Sequence, residues 1–248
     1  MERSLAGLPT VVVGGSRGLG RGASLALAAQ GASLTVLGRD PGALAALAAE
    51  VRDVVTVAAD ATDEAVAERV LRERAPGLVV LVAGARPVLG PFHDMTWDEF
   101  QTSWQADTRL AFVWLRELVR RPLAPGAHVI VVSSGAALAG SPASGGYASA
   151  KRAQWFLADY AANEAARAGL DLRVHCVLPA LNNSTELGRS GVAIYARRSG
   201  VTEDDFVAKM GPQLTPSIFG AAIVALASEP GRWDQRAYRL AAAGLTAV

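Results

Sequence analysis

The stretch TVVVGGSRGLG, residues 10–20, decides the fold. Thr10 to Val13 form a short β-branched apolar run that reads as a strand buried on both faces. Gly14, Gly18 and Gly20 follow at once and lead into an alanine-rich stretch of helical period. A strand that passes through a glycine turn into a helix opens a strand-helix-strand unit. Glycines there let the backbone turn sharply and approach a pyrophosphate, whose charge a helix N-terminus favours. A glycine turn alone is weak evidence, because plain strand-to-helix connections also use it. Its place between strand and helix strengthens the reading. The candidate phosphate cradle is therefore Gly14, Ser16, Arg17, Gly18, Leu19 and Gly20.

Outward from this unit the pattern repeats. Residues 10–14, 33–38, 54–59, 77–84, 128–134 and 172–179 read as buried strands, and 18–30, 41–51, 63–74, 96–121 and 145–168 as helices. Alternation of this kind predicts an α/β fold with a doubly wound parallel sheet, Rossmann-like, in a single domain over 1–248. Thr96 and Glu99 form a capping box, and Pro216 after Thr215 suits a first helical turn. Residues 182–213, rich in Gly, Ser, Asn and charge, lack clear periodicity and read as an excursion or lid.

Bulk properties exclude several classes. A net charge of +1 with mixed signs gives no footprint for nucleic acid or an anionic membrane. No leader pattern and no apolar run near ~18 residues is read, so a soluble cytoplasmic protein is expected. The single cysteine, Cys176, rules out an intrachain disulfide and reads as a buried strand residue. His93, His128 and His175 have no metal-ligand spacing, and no metal is expected.

The second strand ends in VLGRD, residues 36–40. A dinucleotide fold that selects NAD usually carries an acid near this point for the ribose 2′-hydroxyl. Here Gly38 precedes Arg39, and Arg17 lies in the first turn. Two guanidiniums suit a 2′-phosphate, so NADP is the expected cofactor, with Asp40 as a displaced ribose acceptor in the opposing case.

The stretches VVVGGSRGLG (11–20), AAD (58–60), VAGA (82–85), VSS (132–134), YASAK (147–151) and VLPA (177–180) together resemble the short-chain dehydrogenase/reductase family along nearly the whole chain. Tyr147 and Lys151 lie four apart on an expected helix and so share one face. Ser134 closes a strand thirteen residues before the tyrosine, at the family's spacing. The resemblance implies that Tyr147 transfers the proton, Lys151 holds the nicotinamide ribose and favours phenolate, and Ser134 binds the substrate oxygen. A free tyrosine has a pKa of about 10, so nearby positive charge is what proton exchange near neutrality requires. The resemblance also implies that Asp60, with Ala61 beside it, contacts the adenine, and that Ala83 and Gly84 flank the adenosine. Pro179 and Ser184 fall where the family lines the nicotinamide and contacts its carboxamide.

The sequence departs from the family pattern at several points. Val13 replaces a threonine, Leu81 and Val82 an asparagine pair, and Ala180 a glycine. Asp107 stands where the family usually has an asparagine whose backbone oxygen holds a relay water. A carboxylate there either keeps that backbone role while pairing with Lys151, or turns away and leaves the relay to other waters. The C-terminal residues 237–248 lack the family's double-glycine ending, although a homo-oligomer, dimer or tetramer, remains the expectation.

The resulting expectation is NADP-dependent reduction of a carbonyl, or the reverse alcohol oxidation, with Ser134, Tyr147, Lys151 and Asp107 at the reacting end. The alternatives are a catalytically silent NADP-binding sensor or scaffold, and non-redox acid–base chemistry on the same fold. Arg86 to Phe92, Gly135 to Gly145 and the lid should bound the substrate. They offer Val88, Leu89, Phe92, Leu138, Leu181 and Tyr195, which suits a partly apolar small or medium carbonyl or alcohol.

Overall fold

The computed structural model describes residues 3–121 and 123–248. In chain order the elements are β1 (Pro9–Val13), α1 (Gly18–Ala29), β2 (Ser33–Gly38), α2 (Pro41–Glu50), β3 (Val55–Ala58), α3 (Glu64–Arg74), β4 (Leu78–Leu81) and α4 (Trp97–Ser103). A π-helical turn, Trp104–Thr108, joins α4 to α5 (Arg109–Arg120). Then follow β5 (Ala127–Val132), α6 (Ala136–Ala139), α7 (Gly146–Arg167), β6 (Leu172–Pro179), α8 (Glu186–Arg198), α9 (Glu203–Met210), α10 (Pro216–Ser228), β7 (Ala237–Ala241) and β8 (Gly244–Ala247).

Among the described residues the strands form one sheet in the order β3-β2-β1-β4-β5-β6-β7-β8. All neighbours are parallel except β7 and β8, which pair antiparallel as a hairpin at the edge. Val11, Val12, Val79, Val80, Val129 and Ile130 are fully buried, as expected of strands covered on both faces. Side chains of α3, α5 and α7 pack with Val11, Val79 and Val129 on one face. Those of α1, α2 and α10 pack with Val12, Val80 and Ile130 on the other. The alternation of neighbouring valines between the two cores is the period of two that a pleated strand imposes.

The order reverses at β1, which pairs with β2 on one side and β4 on the other. The crevice outside the carboxyl ends of the strands at such a switch point is where doubly wound sheets bind ligands. The expected helix over 96–121 is instead α4, the π turn and α5 in succession. Its start is capped as expected, with Thr96 and Glu99 exchanging hydrogen bonds. Thr215 caps α10, with Pro216 in its first turn.

The excursion at 182–213 is ordered into α8 and α9. Its weak periodicity has a physical cause. The buried residues of α8 are Gly188, Gly191, Val192 and Ala196, mostly small, and α9 buries none. No described helix is long and apolar enough to cross a membrane. Among the described residues no cluster of His, Cys, Asp and Glu could hold a metal.

Candidate active site

A cleft of about 1310 Å³ runs over the carboxyl ends of the strands. It exceeds the ~300–1,000 Å³ that a single small ligand occupies. One end is lined by Gly14, Ser16, Arg17, Gly18, Leu19, Gly20, Arg39, Asp60 and Ala61. The middle is lined by Ala83, Gly84 and Asp107, and the other end by Ser134, Tyr147, Lys151 and Pro179. Residues far apart in sequence thus share one continuous surface.

At the glycine end the chain turns with Gly14 at φ +89°, a conformation side chains rarely adopt. A Cβ there would also stand 2.5 Å from the backbone of Ala83. The turn is therefore held close against the end of β4. Asp60 binds Thr62 through Oδ1, from both the amide and the hydroxyl at 2.9 Å. The Thr62 amide bond, together with Arg39 and Arg109 farther off, keeps the Asp60 carboxyl below its usual range. Asp40 is fully engaged: Oδ1 caps α2 by accepting from Ala43 N at 3.0 Å, and Oδ2 pairs with Arg17. Arg39 makes no ion pair among the described residues and lines the cleft.

At the reacting end, α7 carries Tyr147 and Lys151 one turn apart, and β5 delivers Ser134 just past its last residue. Ser133 Oγ donates to the backbone oxygen of Lys151 at 2.7 Å and so fixes α7 against the strand end. Tyr147 is half-buried at the cleft wall, whereas Lys151 is buried. The ammonium stands 5.6 Å from the centre of the Tyr147 ring.

Asp107 does not turn away. The extra residue of the π turn brings its fully buried carboxylate inward, with Oδ2 3.1 Å from Lys151 Nζ. Its Oδ1 accepts from Ala85 N at 2.7 Å. Gly84 makes room for this, since a Cβ there would lie 3.0 Å from Oδ1. Burial alone pushes the Lys151 ammonium down, but the Asp107 carboxylate beside it outweighs burial and holds it above its ordinary range. The lysine is a cation at neutral pH. The Asp107 carbonyl accepts from a side chain that sequence reasoning did not single out, Gln154, whose Nε2 donates at 2.8 Å. Gln154 lies three residues after Lys151 on α7, on the same helical face, and that spacing was its available signal.

Several expected positions need correction. Ser184 does not line the cleft. Its hydroxyl lies 2.8 Å from Asn182 Oδ1 and 2.9 Å from the Leu214 carbonyl, at the base of the lid. Asn182 and Thr185 line the cleft in its stead. Leu89, Leu138, Leu181 and Tyr195 line the substrate end as foreseen, but Val88 and Phe92 do not, and Phe92 is 81% exposed. Arg17, expected beside Arg39 at a 2′-phosphate, pairs with Asp40. The excursion over 182–213 contacts both flanks of the pocket: Tyr195 Oη donates to Ser141 Oγ at 2.6 Å, and Glu186 pairs with Arg86.

The glycine cradle, the cleft's length and the acid at residue 60 fit a dinucleotide, and the Ser134, Tyr147 and Lys151 end fits its reactive ring beside a substrate. Comparison with known proteins agrees. L-xylulose reductase of Mesocricetus auratus is 33% identical over 137 residues, covering 54% of this chain and 56% of that protein. The chain thus matches only about half the length of that relative. Carbonyl reductase [NADPH] 2 of Sus scrofa is 29% identical over 194 residues, covering 77% of this chain and 78% of that protein. The crystal structure of levodione reductase superposes with a TM-score of 0.80 over 94% of this chain and 95% of its own, at 20% identity, a likeness of fold. The family model described as short chain dehydrogenase matches residues 9–193, and the chain belongs to that family.

Proposed function

We propose that the protein is an NADPH-dependent carbonyl reductase, also able to run in the alcohol-oxidising direction, on a small or medium and partly apolar substrate. The observation that carries this reading is the joining of Ser134, Tyr147 and a charge-stabilised Lys151 to the glycine turn by one cleft. When bound, the dinucleotide supplies the hydride. Ser134 Oγ, half-buried at the strand end, orients the substrate oxygen. Tyr147 gives its phenolic proton to that oxygen as the carbon is reduced, and Lys151 supplies the positive charge that favours the phenolate left behind. Leu89, Leu138, Leu181 and Tyr195 exclude water from the substrate side.

Choice of NADP is supported by Gly38 and Arg39 at the end of β2 and by the engagement of Asp40 in a cap and an ion pair. Each Asp40 oxygen already has a partner, whereas the Arg39 guanidinium is left to meet a ribose 2′ group. The name of the pig relative, carbonyl reductase [NADPH] 2, points the same way. A cytoplasmic homo-oligomer completes the reading, with Phe112 of α5 and Phe156 and Tyr160 of α7, exposed by 47%, 66% and 52%, as apolar surface for a second copy.

Fluorescence titration with both cofactors and NADPH consumption against a panel of ketones and aldehydes test this proposal. The expected result is tighter binding of NADPH than NADH, a preference mostly erased by Arg39→Ala, and turnover on at least one apolar ketone. Equal or tighter NADH binding sinks the cofactor assignment. Tight NADPH binding with no turnover on any carbonyl favours the silent sensor.

A further inference from the structure

Lys151, Asp107 and Gln154 form a closed ring of contacts. The Lys151 ammonium donates to Gln154 Oε1 at 2.9 Å and stands 3.1 Å from Asp107 Oδ2. Gln154 Nε2 donates to the Asp107 carbonyl at 2.8 Å. All three side chains are buried, with exposures of 5%, 0% and 0% for Lys151, Asp107 and Gln154. Asp107 Oδ2 has the Lys151 ammonium as its partner, in a charge-assisted contact. The hydrogen bond to Gln154 holds the ammonium from a second side.

An amide side chain can accept from an ammonium through its oxygen and donate to a carbonyl through its nitrogen at once. A buried glutamine that does both ties the end of the lysine on α7 to the backbone of the π turn. We infer that Gln154 is a positioning residue for Lys151, clamping the ammonium beside Asp107 and tying it to the backbone of the π turn.

This inference rests on the reductase reading. In each turnover Tyr147 loses one proton to the substrate oxygen. A cleft water returns one to the phenolate, and the hydroxide left is neutralised by buffer. The charged and titratable groups around the ammonium are Asp107 on the π turn, Tyr147 on its own helix and Cys176 on β6. Burial holds the Cys176 thiol well above its ordinary range, so it stays neutral. The charge at the site is therefore set by Lys151 and Asp107, and their geometry by Gln154.

Gln154→Leu keeps the volume and removes both hydrogen bonds, whereas Gln154→Glu keeps an acceptor for the lysine and removes the amide donor. Three measurements test the idea: the pH–rate profile with an accepted ketone, the pH dependence of NADPH affinity, and the thermal midpoint without cofactor from pH 8 to 11. Expected for Gln154→Leu are a limb of the pH–rate profile displaced by about half a unit or more and kcat about tenfold lower. Its thermal midpoint should also lie below the parent's at pH 8 and fall less than the parent's as pH rises past about 10.4, because a lysine that has lost a partner has less charge-dependent stability to lose. Gln154→Glu should recover kcat to within about threefold while its pH profile stays displaced. A folded Gln154→Leu protein with the parent's pH–rate profile and the parent's alkaline midpoint overturns the role of Gln154. If Gln154→Leu does not fold, an undisplaced profile in Gln154→Glu overturns it equally. An inert parent sinks the reductase reading instead, and the cofactor-free alkaline midpoint then decides the Gln154 clamp.

Discussion

Tyr147 and Lys151 share a helical face but not a fate on substitution. Tyr147 sits half-buried at the cleft wall, so Tyr147→Phe removes a proton donor and little packing. Turnover should fall by about 10²–10⁴ while NADPH affinity and the urea midpoint stay near the parent's. Lys151→Ala is different, because it strands the fully buried carboxylate of Asp107. Loss of one partner of a buried pair costs about 3–5 kcal/mol, so stability, cofactor affinity and rate should fall together. Urea unfolding, cofactor titration and single-turnover rates separate the two phenotypes, and full activity in Tyr147→Phe would refute the proposed acid. At this scale the sequence was informative wherever spacing or type constrained chemistry, as in Ser134, Tyr147 and Lys151. It was silent where the outcome depended on a rotamer or partner. Whether the Asp107 carboxylate faced Lys151 depended on the π turn. Ser184 bonding the lid base and Gln154 capping a carbonyl across the helix interface are tertiary contacts with no local signature.

At the scale of elements, the strands were readable because β-branched apolar runs have few other places to go in a doubly wound fold. Helix ends carried their own signals in Thr96, Glu99 and Pro216. The π turn was not readable, since one extra residue in a continuous helix changes neither composition nor apolar spacing enough to show. The lid helices were missed because α8 packs through glycine and alanine and α9 has no buried side. Yet the lid is attached at a nameable point. Burial pushes the Tyr195 phenol up, so it stays a neutral donor to Ser141 Oγ at 2.6 Å. Tyr195→Phe removes that bond, worth about 0.5–1.5 kcal/mol, from one flank of the pocket. Steady-state kinetics should show KM for the carbonyl substrate raised roughly 2–10-fold with kcat and NADPH affinity unchanged. An unaltered KM would show that the bond does not hold the lid during turnover.

Across the whole molecule the sheet separates chemistry from a second buried polar group. The cleft lies over the carboxyl ends of the strands, while His128 stands near the amino end of β5 and meets His175 of β6, Nε2 to Nδ1, at 2.9 Å. Both rings are buried, His175 against Tyr238, and His128 Nδ1 has no hydrogen-bond partner among the described residues. Burial, together with Arg173 and, for His128, its histidine partner and Arg3, drives both imidazoles to lower pKa. His175 is lowered to about 4, and His128 lies well below 6.5. Unfolded histidines titrate near 6.5, so below that pH the unfolded chain binds protons that the folded one refuses. Stability is thus fully present above about pH 6.5 and is lost as pH falls toward 4, at up to about 1.4 kcal/mol per unit for each histidine. The lowered carboxylates Asp60, Glu64 and Glu99 act only below the ordinary carboxylate range, whereas Asp159, raised by burial, acts above it and stabilises as pH falls. A loss of stability between pH 6.5 and 5 therefore belongs to the histidine pair. Urea midpoints should fall steadily over that interval, and replacing both rings, His128→Leu with His175→Leu, should flatten the slope, because removing both partners of a buried polar pair leaves nothing to protonate. A parent protein equally stable at pH 7 and pH 5 would show that the pair opens to water and takes up protons without unfolding.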